Sequence, residues 1–261
     1  MKTALIGHSG FVGTTLLQQT SFTDLFRSTN IGDINGQSFD LVVCAGAPAQ
    51  KWIANRDPMG DKKIIENLIA HLSTVSAKQI VLLSTVDVFS ASSGVDETTV
   101  VDTVDLHAYG ANRRMLEVFV ASYFVDSLIV RLPGLVGPRL RKNIIFDLLN
   151  DNNLKAIDHR GIFQFYPMVN LWGDIQIALD AKLRLVHLTA EPLSVERVAN
   201  EGFGRAFANE LAAKPAVYDM RSVHAKIFGG GDHYQYSARE TIQAVRCYAQ
   251  SEPLAAAKST P

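Results

Sequence analysis

Short apolar runs of strand length alternate along this chain with longer stretches whose apolar residues recur every three or four positions. Thr3–Ile6, Phe39–Cys44, Gln79–Ser84 and Ser127–Leu132 are continuous or nearly continuous apolar runs, the pattern of strands covered on both faces. Leu185–Thr189 reads as a further strand. Phe11, Val12 and Leu16 mark a helix over Phe11–Gln19, and Ile64, Ile65, Leu68, Ile69 and Leu72 mark another that Asp57-Pro58 opens. Helical spacing also covers Leu106–Phe124, Ile144–Leu149, Leu171–Leu183 and Ser194–Glu201. This alternation predicts an α/β fold with a doubly wound, mostly parallel sheet. The alternation weakens at about 133–170 and after 200. The chain is therefore read as one unit: a wound core from 1–132 and about 171–200, and a small lobe from about 133–170 and 201–250. The tail Ala255–Pro261, small and polar, is expected to fray.

Composition narrows the function. The 261 residues carry 25 basic and 26 acidic side chains, a net charge of −1. That balance gives no electrostatic basis for binding nucleic acid or an anionic membrane. No apolar run approaches the roughly 18 residues of a bilayer span. Cys44 and Cys247 are distant in sequence and are both expected to be buried apolar residues. The histidines have no metal-ligand spacing, so no metal is expected. A cytoplasmic location is the expectation that follows.

The richest local signal is Gly7-His8-Ser9-Gly10-Phe11-Val12-Gly13, a G-x-x-G-x-x-G loop between the first strand and the first helix. A first glycine permits the tight turn, a second lets backbone approach a pyrophosphate, and a third lets helix pack on strand. Free N–H groups at the helix start then face the phosphates. The context makes the fold a Rossmann-type dinucleotide fold, with Gly7, Ser9, Gly10, Phe11, Val12 and Gly13 as cofactor contacts. Ala45, Gly46 and Ala47, directly after the run Phe39–Cys44, are taken as contacts too. No acidic residue stands clearly at the end of a second strand to hold the ribose hydroxyls. Arg27 and Ser28 stand there instead and suit a 2′-phosphate. NADP is therefore favoured slightly over NAD, with Asp33 and Ile34 expected to flank the adenine.

Four blocks occur in a telling order: the glycine loop, Ser84-Thr85-Val86-Asp87-Val88-Phe89, Tyr109-Gly110-Ala111-Asn112-Arg113, and Arg131-Leu132-Pro133-Gly134. In this order they resemble the extended short-chain dehydrogenase/reductases, the NAD(P)-dependent epimerase/dehydratase family that acts mainly on nucleotide sugars. The Ser84–Phe89 block is similar to the family's nucleotide-sugar reductase branch. The resemblance covers about Met1–Thr189. It implies that Tyr109 is the proton-transfer acid/base, that Thr85 holds the reacting oxygen, and that Tyr109, Arg113 and Pro133 lie against the nicotinamide end. Arg113 stands where the family has lysine. Valine at 86, where water-eliminating members carry an acid, argues against dehydration.

A free tyrosine titrates near 10, about 3 units or 4 kcal/mol above neutrality. One cation about 4 Å away at an effective dielectric of 20 supplies about 4 kcal/mol. Arg113, one helical turn after Tyr109, is therefore expected to lower its pKa by charge alone. On the substrate side, Asp87, Arg139, Arg141 and Asn143 are the candidates. The two arginines belong to the dense basic patch Arg139–Lys142 and suit a pyrophosphate, while Asn143 is equally a helix cap. The resulting expectation is an NAD(P)-dependent oxidoreductase or epimerase on a nucleotide sugar, with a homodimer left open. Two alternatives stay open: a non-catalytic dinucleotide-binding redox sensor, and a reductase of a small carbonyl compound.

Overall fold

A computed structural model describes residues 1–91 and 93–252, so the expected fraying of Ala255–Pro261 lies outside the described residues. In chain order the elements begin β1 (Thr3–Ile6), α1 (Phe11–Gln19), β2 (Asp24–Phe26), β3 (Ser38–Cys44), α2 (Lys51–Arg56), α3 (Pro58–Leu72) and β4 (Ser76–Thr85). They continue with β5 (Ser93–Val95), α4 (Ala108–Tyr123), β6 (Ser127–Leu132), β7 (Gly134–Val136), α5 (Ile144–Asn150), β8 (Ile162–Phe163) and β9 (Phe165–Pro167). The last are α6 (Leu171–Asp180), β10 (Leu185–His187), β11 (Leu193–Ser194), α7 (Val195–Arg197), β12 (Asp219–Met220) and α8 (Ala238–Ser251).

Six strands form one parallel sheet in the order β10-β6-β4-β3-β1-β2. Alternate residues of each strand feed two helical layers, because side chains on a strand point to opposite faces. Ala4, Ile6, Val42, Cys44, Ile80 and Leu82 pack with Ile65, Leu68 and Leu72 of α3 and Leu116 and Val120 of α4. Leu5, Leu41, Val43, Val81 and Leu83 pack on the other face with Leu16 of α1 and Leu171, Ile175 and Ala178 of α6. The apolar runs are continuous because neither face meets water.

The order of the strands reverses beside β1, with β2 on one side and β3 on the other. A crevice opens at such a switch point, beyond the carboxyl ends of the strands. Residues 27–37 connect β2 to β3 through a single 3₁₀ turn, Ile31–Ile34, with no strand or longer helix between. A third core lies where α5, β9 and α8 meet around Ile145, Leu148, Phe165, Ile242 and Val245. Phe11 packs against both this core and the α1–α6 face of the sheet.

Several expectations need correction. Helix α8 was not anticipated, although Ser237 and Glu240 form a capping box and Ile242, Val245 and Tyr248 repeat at helical spacing. Ser194–Glu201 is helical from Val195 on, but not a plain α-helix: α7 passes directly into a π turn at Val198–Gly202. Cys44 is buried but Cys247 is exposed, on the outer side of α8.

Charge is buried at one point of the sheet. Glu117 of α4 and Arg131 of β6 are 0% and 1% exposed. Arg131 donates to Glu117 through Nε at 3.0 Å and Nη2 at 2.7 Å, and Ser84 Oγ donates to the same carboxylate at 2.6 Å. Arg131 Nη1 also lies 3.2 Å from His187 Nε2, while His187 Nδ1 lies 3.0 Å from the Arg221 carbonyl. The imidazole is therefore neutral, with its proton on Nδ1. Burial pushes the His187 pKa down to about 4, and the Arg131 charge acts in the same direction. Between pH 6.5 and 4 the unfolded histidine binds a proton that the folded one refuses. Stability should therefore fall as pH drops through that window, by up to roughly 1.4 kcal/mol per pH unit for this one group. Urea denaturation at pH 7 and pH 5 should show the loss, and His187→Gln should shrink the difference by about one proton's worth.

Candidate active site

The glycine loop closes tightly on its surroundings. Gly7 has φ +85°, and its N–H donates to the Phe26 carbonyl at 2.8 Å. A Cβ on Gly7 would overlap the Ala45 carbonyl, and one on Gly13 would overlap the Gly7 carbonyl. These two glycines are required by the protein's own packing. Gly10 differs: a Cβ there would meet only the Gly7 carbonyl oxygen, at 3.4 Å. Its φ is −77°, and no side chain caps the α1 terminus that it begins. Nothing among the described residues demands glycine at 10. A bare backbone and an uncapped helix N-terminus there suit a phosphate group. Ser9 and Gly10 are exposed, whereas Phe11 and Val12 are half-buried in the core beneath.

Arg27 and Ser28 are exposed just past β2. Arg27 Nε donates to Thr29 Oγ1 at 3.0 Å, and its backbone N–H to Asn30 Oδ1 at 2.7 Å, so the turn is held in shape. Asp33 is exposed, but Ile34 is 0% exposed and belongs to the α3–α4 core. The expectation that Ile34 flanks an adenine is therefore corrected: its side chain is used by folding. Ala45, Gly46 and Ala47 are half-buried after β3, beside Gly7.

Tyr109 starts α4 and is 8% exposed. His107 caps the helix by accepting the Gly110 N–H at 3.0 Å. Asn55 Oδ1 of α2 accepts the Tyr109 N–H at 3.0 Å. The Thr85 hydroxyl at the end of β4 faces Tyr109 and favours its ionised form. The sequence pairing of Thr85 with Tyr109 is thus also a spatial one.

Arg113 departs from expectation. Its guanidinium lies over the Tyr109 ring, 4.1 Å from the centroid. Nη1 pairs with Asp61 of α3, and Nη2 donates to the Pro48 carbonyl in the loop after β3. Arg113 and Asp61 are 3% and 6% exposed, a closed buried pair that Asn112 completes by donating to Asp61 at 2.7 Å. The guanidinium charge is therefore compensated within the protein. Burial of Tyr109 outweighs it, and the hydroxyl pKa is raised above the ordinary 10, not lowered. Arg113 Nε is buried without a partner among the described residues.

The sequence reading missed Lys51, Asn55 and Asp61. Lys51 Nζ of α2 pairs with Asp87 at 2.7 Å, and the Tyr218 hydroxyl interacts with both. Asp61 carried a signal, since it falls on the stripe Asp61-Ile65-Leu68-Leu72 that α3 buries. A carboxylate on an apolar stripe calls for a buried cation. No periodicity pointed to Lys51.

The basic patch divides. Arg139, which adopts φ +68°, and Arg141 line a cavity of about 520 Å³ with Phe146, Leu149 and Tyr248, against α8. Lys142 instead donates across to the Ala49 carbonyl in the loop after β3. Asn143 caps α5 by accepting the Ile145 N–H at 2.9 Å and donates to the Leu135 carbonyl at 2.8 Å. Both ends of its amide are engaged inside the protein, which corrects its candidacy as a substrate contact. Pro133 lies half-buried between β6 and β7.

The wound parallel sheet, with the glycine loop between β1 and α1, forms a Rossmann-type fold. Solved structures with this fold include a dTDP-4-dehydrorhamnose reductase from Clostridium acetobutylicum, 18% identical with a TM-score of 0.69, covering 96% of this chain and 99% of that one. A dTDP-4-dehydrorhamnose reductase from Bacillus anthracis in complex with NADP is 16% identical with a TM-score of 0.71, over 96% and 99%. A dTDP-glucose 4,6-dehydratase double mutant from Streptomyces venezuelae with NAD bound is 13% identical with a TM-score of 0.73, over 97% and 98%. No protein-family model matches the chain, and no curated protein matches it by sequence.

The glycines make a direct prediction. Gly10→Ala should leave stability within about 0.5 kcal/mol of the parent, because its Cβ has room. Gly13→Ala forces backbone apart and should cost several times that. Thermal denaturation of the two variants compares them.

Proposed function

We propose that this protein is an NAD(P)-dependent reductase of a nucleotide sugar. The observation that carries this reading is the Thr85–Tyr109 hydroxyl pair, held at the end of β4 beside a glycine loop whose middle residue has no packing reason to be glycine. Gly7, Gly10 and the N-terminus of α1 would hold the dinucleotide phosphates, and Arg113 Nε would face the nicotinamide side. A bound nicotinamide supplies or accepts the hydride. Thr85 would hold the substrate's carbonyl oxygen, and Tyr109 would give that oxygen its proton.

The direction follows from electrostatics. A tyrosine with its pKa above 10 remains protonated at neutral pH, the form that donates. An epimerase must first use the same group as a base, which works best near the operating pH. Burial outweighs the pull of Arg113 on the Tyr109 pKa, so reduction is favoured over epimerisation. The nucleotide-sugar substrate rests on the likeness to reductases and a dehydratase of such compounds and on a UDP-glucose complex of another protein of this fold, 14% identical with a TM-score of 0.67. The compensated Arg113 is also what a dinucleotide sensor without turnover would have, so that second reading is kept. Among the described residues no helix is long and apolar enough to cross a membrane.

Tyr109→Phe should fold and bind dinucleotide, yet lose kcat by on the order of 10²–10⁴-fold, measured as NADPH oxidation across a panel of keto-sugar nucleotides. In the parent, the reductive rate should stay level through neutral pH and fall only on the alkaline side, as the proton donor is lost. Dinucleotide binding with no oxidation of NADPH by any member of the panel would select the sensor. Arg27→Ala should weaken NADPH about tenfold in a fluorescence titration, the loss of one charge-assisted contact, and leave NADH nearly unchanged.

A further inference from the structure

Two carboxylates stand near Tyr109, and each is matched by one cation. Asp61 is closed by Arg113. Asp87 is closed by Lys51, at 2.7 Å. The second pair borders the Thr85 side of the site. The turn Val86–Val88 follows Thr85 directly, and the Asp87 N–H donates to Thr85 Oγ1 at 3.2 Å. The Asp87 carbonyl sits so close to the start of α4 that a Cβ on Gly110 would overlap it. Helix α2 reaches this corner twice: Asn55 holds the Tyr109 N–H at 3.0 Å, and Lys51, one turn earlier, holds Asp87. The pair is also the more open, with side chains 38% and 19% exposed against 3% and 5% for Arg113 and Asp61.

After giving its proton to a substrate oxygen, Tyr109 is left as a buried phenolate. Hydride adds to the carbonyl carbon, the tyrosine proton completes the hydroxyl, and solvent later restores the proton to the phenolate. The costly species is that phenolate. An unmasked Asp87 beside it would raise the cost further by like-charge repulsion. We propose that Lys51 is a positioning residue that masks Asp87, so that Tyr109 can bear negative charge in a site where Arg113 is already committed to Asp61. This inference rests on the reductase reading of Tyr109. The other groups facing the hydroxyl are the Thr85 hydroxyl and, through its ring, Arg113. His107 and Tyr218 border the Lys51–Asp87 pair, and burial together with the Lys51 charge holds the His107 pKa below its usual value.

The test is a double-mutant cycle of Lys51→Met, Asp87→Asn and the double variant, with Lys51→Arg as the conservative control. Lys51→Met should lower kcat about tenfold, equivalent to one pKa unit on Tyr109, with KM changed less. Lys51→Arg should keep most of the rate. Adding Asp87→Asn to Lys51→Met should restore activity, because the charge needing a mask is gone. A merely structural lysine would not be rescued this way. The second readout needs no turnover: pH titration of ¹³Cζ-tyrosine by NMR, with the Tyr109 signal assigned from Tyr109→Phe. Its midpoint should rise in Lys51→Met and fall back in the double variant. A midpoint unmoved by Lys51→Met, or a double variant no better than the single, overturns the proposal. A parent enzyme that turns over no keto-sugar nucleotide overturns the reductase reading instead, and the NMR cycle still decides the role of Lys51.

Discussion

The carboxylate of Glu117 is the joint on which the active corner depends. It sits at 0% exposure and gathers Ser84 from β4, Arg131 from β6 and, at 3.0 Å, Arg114 from its own helix. An ion pair this deep is favourable only when its geometry is good and its remaining hydrogen-bonding sites are filled. Here they are filled by the elements that must be aligned. Ser84 immediately precedes Thr85. Glu117 lies one turn beyond Arg113 and two beyond Tyr109 on α4. The relative placement of the threonine and tyrosine hydroxyls is thereby set by a bond network that a slip of α4 along the sheet would break.

Around that joint the protein balances charge locally. Arginine at 113 keeps a positive charge on the tyrosine's face of the helix but uses it differently from a freely directed ammonium. A planar guanidinium can stack on a ring while its N–H groups reach elsewhere. Arg113 does this, binding Asp61 on one side and the loop after β3 on the other. The simple Coulomb expectation for Tyr109 failed because it counted one cation and neither the carboxylate that closes it nor the burial of the phenol.

Much of the fold was legible in the chain. Four continuous apolar runs became the central strands, since burial on both faces imposes no alternation, and the glycine loop lay where the first strand and helix implied. What stayed hidden had physical reasons. Strand β2 is three residues long and its neighbour contacts are backbone bonds, so it leaves almost no pattern. Ile34 looked available for a ligand because nothing local reveals that a 3₁₀ turn tucks it into the core. Lys51 and Asp87 are 36 residues apart, and only the sheet order brings them together. Helix α8 was missed for a different reason: its capping box, Ser237 and Glu240, is a local signal that was there to be read.

The sheet ends in strands of only three residues on both sides, β2 and β10, while β4 in its middle has ten. A sheet edge is a template on which a foreign strand can add, and its capacity grows with the number of unpaired backbone groups it offers. At β10 even this short row is interrupted, because Glu97 takes the His187 N–H at 2.8 Å and Gln235 takes the next free one, that of Thr189, at 2.8 Å. The side chains that complete the buried histidine network therefore also shield the protein from edge-to-edge aggregation.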